Sequence, residues 1–176
     1  WRSAMTLPRD LKLISYKGKP VLASSVVPEI EEIAGDWKDA AGDIEKTTGA
    51  WQAQASMPTT KDWTIMLSNN AGQKYTLSYI ADERIIFANR GIESGETNFS
   101  NMFAIPSMKM PVNTEGNEVT LNIYVDRSSV EVFTGNGSAA MTNIVFPNSV
   151  YNHISVLGAD AVIKTRILNK IWTKNS

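Results

Sequence analysis

Residues 118–147 place the strongest constraint on the fold, because they alternate between apolar and polar side chains and are interrupted twice by turn-forming residues. Side chains of a strand point to opposite faces in turn, so the alternation predicts a half-buried strand. Its apolar face carries Val119, Leu121, Ile123 and Val125. The breaks at 126–129 and 135–137 divide the run into three strands, the last ending before Pro147. We predict an antiparallel meander.

Short alternating segments continue through most of the chain. Apolar residues recur at every second position at Trp51, Ala53, Ala55, Met57, Trp63, Ile65, Leu67, Tyr75, Leu77 and Tyr79. Further strands are predicted around Ile85 and Phe87, around Ile154 and Val156, and over 162–168. The turn at 158–160 is expected to reverse the strand around Ile154 and Val156 directly into the last one, and Phe99 to return a long polar loop to the core. Roughly ten to twelve short strands predict an all-β fold, a two-sheet antiparallel β-sandwich of jelly-roll or concanavalin-like type.

The amino-terminal region differs from this pattern. Residues 1–27 predict a β-hairpin that turns at 17–20, and Pro8 favours an edge position. Pro28 is followed by acidic residues, which suits the first turn of a short linker helix ending by Gly35. Residues 36–48 are polar and predict a loop or a weak strand.

Composition excludes several classes of function. The 176 residues are 43% hydrophobic with a formal net charge of -1, and basic residues form no dominant run, so we expect no nucleic-acid partner. No apolar stretch is long enough to predict a membrane span. The chain has no cysteine and a single histidine, His153, so we expect no metal site and no cofactor. Trp1 in place of Met predicts a fragment, a mature product or a trimmed chain.

Two strings of sequence resemble a known family. The run VTLNIYVDRSSVEVFTGNGSAAMTNIVFP at 119–147 resembles the C-terminal sandwich domain of glycoside hydrolase family 32, which comprises invertases, levanases and inulinases. The run WRSAMTLPRDLKL at 1–13 resembles the end of that family's catalytic propeller. Phe99 and Ile171-Trp172 extend the likeness over nearly the whole chain. The structural motif within the first string consists of Asp126, Arg127, Ser128, Ser129, Glu131 and Phe133.

The resemblance implies a domain organisation and a function. Residues 1–27 would be the last hairpin of a missing propeller, 28–35 a linker helix, and 36–176 the C-terminal β-sandwich. The chain would be a non-catalytic module that stiffens the propeller of a parent enzyme, which hydrolyses β-fructofuranosyl linkages in levan, inulin or sucrose. Its partners would be that propeller, fructan, and a second copy bound through residues 1–27. The family expectation for location is extracellular or periplasmic.

Catalysis by the chain itself has one candidate pair. Retaining glycoside hydrolysis needs two carboxylates about 5 to 5.5 Å apart, and Asp126 and Glu131 flank the turn of the motif. The family's catalytic carboxylates, however, sit in motifs of the types N-D-P-N-G, R-D-P and E-C, and none occurs here. The resemblance therefore carries no catalytic residue onto this chain, and we interpret both carboxylates as structural.

Two alternatives stay open. The chain could be a lectin-like carbohydrate-binding module, because exposed aromatic faces can stack on sugar rings. The available aromatic residues include Trp37, Trp51, Trp63, Tyr75, Tyr79 and Tyr124. Tyr124 is the candidate sugar contact, since it is out of phase with the apolar face of its strand and is expected at the surface. The chain could also be a complete small glycosidase.

Overall fold

The computed structural model describes residues 5–39, 42–44, 49–100, 102–103 and 108–170. The first four residues of the predicted hairpin, and Ile171 and Trp172 of the family likeness, lie outside these residues. The strands are β1 Arg9–Tyr16, β2 Lys19–Val26, β3 Lys38–Asp39, β4 Gly42–Asp43, β5 Trp51–Pro58, β6 Trp63–Ser68, β7 Lys74–Ile80, β8 Ile85–Asn89, β9 Met108–Pro111, β10 Glu118–Val125, β11 Ser129–Thr134, β12 Ala140–Ile144, β13 His153–Leu157 and β14 Val162–Ile167. Short 3-10 helices span Pro28–Ile33 and Ile92–Ser94.

Two six-stranded sheets form the body of the molecule. The first sheet has the order β12-β11-β10-β5-β14-β3 and the second has the order β4-β13-β6-β7-β8-β9. All neighbouring strands in both sheets are antiparallel. The predicted all-β sandwich and the meander of β10, β11 and β12 are thus confirmed. Two-residue strands, β3 and β4, lie at one edge of each sheet.

The predicted apolar faces meet in the core between the sheets. In β10, Val119 is 5% exposed, while Leu121 and Ile123 are fully buried. The alternating residues of β5, β6 and β7 are buried as well, which confirms their phase. Trp51 begins β5 and donates its indole N–H to the main-chain oxygen of Tyr151 at 2.8 Å, so its polar atom is satisfied in the core.

The structure corrects two expectations about side-chain placement and one about strand pairing. Phe99 does not enter the core: it is 62% exposed and packs on Phe103 at a ring distance of 4.7 Å. Main-chain hydrogen bonds hold its loop instead, since the amide of Glu96 donates to the oxygen of Phe146 at 2.8 Å. In β8 the buried residues are Ile86 and Ala88, whereas Ile85 and Phe87, the apolar residues that marked this strand in the sequence, are only half-buried. This shift of one residue follows a turn in which Arg84 has a φ of 53°.

The third correction concerns β13 and β14. They follow one another across the turn at 158–160, but β13 pairs with β6 in the second sheet and β14 pairs with β5 in the first. The turn therefore carries the chain from one sheet to the other, a step that alternation within each strand does not reveal.

The amino-terminal hairpin is confirmed and lies against the outer face of the first sheet. Lys17 and Gly18 both have positive φ, at 49° and 72°, which is the backbone of the tight two-residue turn that suits the twist of a hairpin. The amide of Ser24 in β2 donates to the oxygen of Gly137 at 2.8 Å. After the 3-10 helix, the amide of Gly35 donates to the oxygen of Ile167 at 2.9 Å, which fastens the linker to β14.

Candidate functional site

A buried carboxylate anchors the amino-terminal segment to the sandwich. Glu131 projects from β11 towards the hairpin and is 3% exposed. Its Oε1 accepts the main-chain N–H of Leu7 at 2.8 Å, and its Oε2 accepts Nη2 of Arg9 at 2.8 Å and the hydroxyl of Thr142 at 3.0 Å. Charge-assisted hydrogen bonds of this kind are the stronger ones in proteins. Leu7 and Arg9 belong to the chain that enters β1, and Thr142 of β12 also accepts Nη2 of Arg9 at 2.8 Å, so these bonds fix the position of the entering chain.

Aromatic residues extend the anchor along the same face. The guanidinium of Arg9 lies 4.9 Å from the ring centroid of Phe133, within the range of cation–π attraction. Phe133 meets Tyr124 edge to face, with a centroid distance of 5.8 Å. These rings and Leu168 form a second, smaller apolar cluster on the outer face of the first sheet. Partly buried residues pack on it: Leu7, Val26, Ile30, Ala34, Ala50 and Ala140.

The expected surface position of Tyr124 is therefore wrong. Its phase was predicted correctly, because it points away from the core between the sheets, but it is only 9% exposed. The hairpin and the linker cover it, and the burial raises the pKa of its phenol. A sugar contact by Tyr124 stays a prediction, now at the wall of a groove rather than on an open surface.

The turn of the motif is formed as expected. Oδ1 of Asp126 accepts the amide of Arg127 at 2.7 Å, and the amide of Asp126 donates to the oxygen of Ser129 at 2.9 Å. The main-chain oxygen of Ser128 accepts the amide of Val145 at 3.0 Å, so the turn also binds the residue that follows β12. Asp126 serves as a local turn acceptor, whereas Glu131 serves as a long-range anchor.

A cavity of about 650 Å³ lies beside this turn, between the amino-terminal segment and the sheet. Asp126 and Glu131 both contribute to its wall, together with apolar residues of the linker and of the second cluster. Three donors already occupy the Glu131 carboxylate, which leaves it poorly placed to act as a nucleophile or as a proton donor. The arrangement is suited to holding a segment of chain.

A second ionic anchor, which was not predicted from the sequence, holds residues 28–35. Arg166 of β14 has a side chain only 4% exposed and donates to both carboxylate oxygens of Glu31 at 2.6 Å. It also donates to Gln52 at 2.7 Å and lies 4.2 Å from the ring centroid of Trp37. The hydrogen bonds from Arg166 lower the pKa of Glu31 and outweigh the opposing effect of burial.

Alternation did contain a signal for this anchor. Gln52 and Arg166 point away from the core, and polar residues that point outward from the middle of a strand can contact another segment of the chain. Their partner Glu31, however, lies 135 residues from Arg166 in sequence, so no local sequence pattern predicts the pairing of Glu31 with Arg166.

Other kinds of site are not evident in the described residues. Within that part of the chain, no group of three or more histidine, cysteine, aspartate or glutamate residues could hold a metal ion. His153 contacts Asp43 at 2.8 Å at the edge of the second sheet. No helix among the same residues has the length and apolar character needed to span a membrane.

Comparison with known proteins gives consistent matches. The family model described as glycosyl hydrolases family 32 C terminal matches residues 27–172. The levanase of Bacillus subtilis (strain 168) is 26% identical over 98% of this chain and 28% of its own length. An extracellular exo-inulinase of Aspergillus niger is 29% identical over 99% of this chain and 36% of its own length.

A solved structure of the exo-inulinase from Aspergillus awamori has the same fold. It superimposes with a TM-score of 0.83 at 25% identity and covers 98% of this chain and 37% of that one. The chain thus spans between 21% and 36% of the length of the first curated relatives it matches.

Proposed function

Because the chain belongs to the family of C-terminal domains of glycosyl hydrolases family 32, we propose that it is the non-catalytic β-sandwich module of a longer, fructan-active glycoside hydrolase. In this proposal, residues 1–27 are the last hairpin of a preceding catalytic propeller, 28–35 are the linker, and 36–176 are the sandwich. The module holds the end of the propeller in place and stiffens it.

Two regions of the hairpin support this proposal. Its open end is tied to the sandwich through Glu131, which binds Leu7 and Arg9, while three large apolar side chains nearer the turn are exposed to solvent. Leu11 is 61% exposed, Leu13 is 77% exposed and Leu22 is 58% exposed. Leu13 and Leu22 are direct cross-strand partners, so they form one contiguous patch. A surface of this kind indicates a further contact, which the body of a propeller would provide.

The names of the relatives support the substrate class of the proposed parent. The matches include levanases and exo-inulinases, which are named for levan and inulin. We therefore propose that the parent hydrolyses β-fructofuranosyl linkages in levan, inulin or sucrose. Extracellular is part of the name of the Aspergillus niger relative, and this supports a location outside the cell or in the periplasm.

An activity assay tests the non-catalytic role. The purified chain is incubated with sucrose, inulin and levan, and reducing sugar is compared with a blank without protein. We expect no release, because hydrogen bonds already occupy the Glu131 carboxylate and the chain has none of the family's catalytic motifs. Release that is lost in Asp126→Asn or Glu131→Gln would instead support a complete small glycosidase.

A second role, contact between two copies, has the same apolar patch in its favour. In the absence of a propeller, the patch of Leu11, Leu13 and Leu22 could pair with its counterpart on another chain. Sedimentation of the chain and of a Leu13→Glu, Leu22→Lys variant tests this. A dimer that dissociates in the variant supports the contact, whereas two monomers exclude it. The variant keeps residues 5–9 and therefore leaves the Glu131 anchor intact.

A further inference from the structure

A polar groove on the outer face of the first sheet has features that the docking role does not explain. It has a volume of about 310 Å³, at the lower end of the range of roughly 300 to 1000 Å³ for small-ligand pockets. Strand β2 of the hairpin, Glu31 and Trp37 form its sides, and the outward residues of β5, β10 and β14 form its floor.

Amide side chains of neighbouring strands make the floor. Gln54 of β5 lies directly opposite Asn122 of β10, and Gln52 lies directly opposite Tyr124. Arg166 of β14 is the partner of Gln52 on its other side. The register thus brings two glutamines, an asparagine, a tyrosine and an arginine together over two cross-strand rows.

Several of these groups have hydrogen-bonding capacity left over. The side-chain oxygen of Gln52 accepts Nε of Arg166 at 2.7 Å. The side-chain nitrogen of Gln54 donates to the side-chain oxygen of Asn122 at 3.2 Å. Within the described part of the chain, no partner is found for four other groups that belong to the walls of this groove. They are Nε2 of Gln52, Oε1 of Gln54, Nδ2 of Asn122 and the hydroxyl of Tyr124. Gln52 is only 3% exposed as a whole, but its Nε2 is not among the fully buried unpaired atoms of the described residues, so this donor is open to the groove.

Charge in the groove is balanced. Glu31 neutralises Arg166 through two hydrogen bonds, so neither an anion nor a cation has an unpaired partner there. Trp37 lies over the Arg166 guanidinium and keeps 38% of its surface exposed at the rim. A neutral ligand that offers many hydroxyl groups and an apolar ring face would satisfy both the open amides and the indole.

We propose that this groove binds one or two residues of a neutral oligosaccharide. The unpartnered amides and the Tyr124 hydroxyl exchange hydrogen bonds with sugar hydroxyls, and Trp37 packs against a ring face. The choice of a fructan as the ligand rests on the proposed function, whereas the groove and its chemistry do not.

Calorimetric titration of the chain with the fructan trisaccharide 1-kestose, and separately with maltotriose, tests the proposal at up to about 20 mM sugar. Amide spectra of the isotopically labelled chain locate the site. We expect shifts at Gln54 and Asn122 and weak saturable binding. Trp37→Ala and Asn122→Ala should each weaken it about fivefold or more, because each removes a neutral contact. Asn70→Ala, an exposed amide in the turn after β6, is the matched control and should leave binding unchanged.

Each outcome decides the matter. Binding of 1-kestose that is weakened only by the groove variants supports the proposal. Binding of maltotriose alone, with the same dependence, supports the groove but overturns the choice of a fructan as its ligand, and it leaves the docking role to the activity assay. Absence of binding to both sugars overturns the proposal, as does binding that the groove variants leave intact. Trp37→Tyr, which keeps an aromatic ring, should recover part of the affinity if stacking is the contact.

Discussion

Glu131→Ala should weaken the attachment of the amino-terminal hairpin more than any change at the turn beside it. The substitution removes the acceptor for Leu7 N–H, Arg9 Nη2 and the Thr142 hydroxyl at once. The guanidinium of Arg9 would keep its hydrogen bond to the hydroxyl of Thr142 at 2.8 Å and its place over the Phe133 ring, but it would lose its charged partner. Docking of residues 5–9 would then depend on that one hydrogen bond, on the Phe133 contact and on the apolar packing of Leu7.

The expected cost follows from burial. The Glu131 side chain is 5% exposed and that of Arg9 is 25% exposed, so water can rehydrate the arginine but not the site of the carboxylate. Removing one partner of a buried pair costs about 3 to 5 kcal/mol, and we expect the lower end, about 3 kcal/mol. Glu131→Gln keeps one oxygen acceptor without the charge and should cost about half as much, near 1.5 kcal/mol.

Two measurements together test this expectation. Urea unfolding gives the loss in global stability, and amide hydrogen exchange of β1 shows whether the hairpin opens before the rest. Asp126→Ala is the matched control, because among the described residues its exposed carboxylate accepts only the amide of Arg127, and it should cost less than about 1 kcal/mol. If both variants cost the same and β1 exchange is unaltered, Glu131 is not the anchor of the hairpin.

Three further predictions concern the core, a loop and pH. Leu121→Ala should cost about 2 to 5 kcal/mol in a denaturant melt and Thr120→Ala less than about 1, and the reverse order would refute the register of β10. Gly95→Ala should lower the free energy of unfolding by at least about 2 kcal/mol, since the φ of Gly95 is +147° and an added Cβ would lie 2.3 Å from a main-chain oxygen. Gly116→Ala should be nearly neutral, and equal stabilities of the two variants in a denaturant melt would contradict this prediction. The contact with Arg166 lowers the pKa of Glu31 in the folded protein. The stabilisation by this ion pair is therefore present above pH 4.5, the ordinary pKa of a glutamate, and is lost as the pH falls through the lowered pKa of the folded protein. The stability difference between the wild type and Glu31→Gln should therefore shrink in acid, and a difference that is constant with pH would exclude the ion pair as its cause.

Alternation alone predicted most of the sandwich from the sequence. The phases of β5, β6, β7 and β10 follow from single strands, because one face of each strand must leave water. The same reasoning missed that β13 and β14 lie in different sheets, since a turn between strands carries no information about which neighbour each strand pairs with. It also placed Phe99 in the core, although main-chain bonds hold that loop.

The site was less predictable than the fold because its contacts are remote in sequence. Leu7 and Glu131 are 124 residues apart, so no local pattern reveals that the outward side of β11 is covered. The polar phase of Tyr124 was predicted correctly, but phase gives only the direction of a side chain and not what packs over it. The family resemblance selected the motif around Glu131 without showing that its carboxylate holds the entering chain.

The hairpin has one further consequence, which concerns association through the main chain. The outermost strands of the two sheets are short: β3 and β4 have two residues each, β9 has four and ends in proline, and β12 has five. Among the described strands, β1 pairs only with β2, and it is eight residues long. Its outer side therefore offers the longest row of open N–H and C=O groups for strand addition. Strands of the proposed propeller would pair with this edge of β1 and extend the hairpin into a larger sheet. In the absence of the propeller, fibrous aggregation of the chain would begin at the same edge.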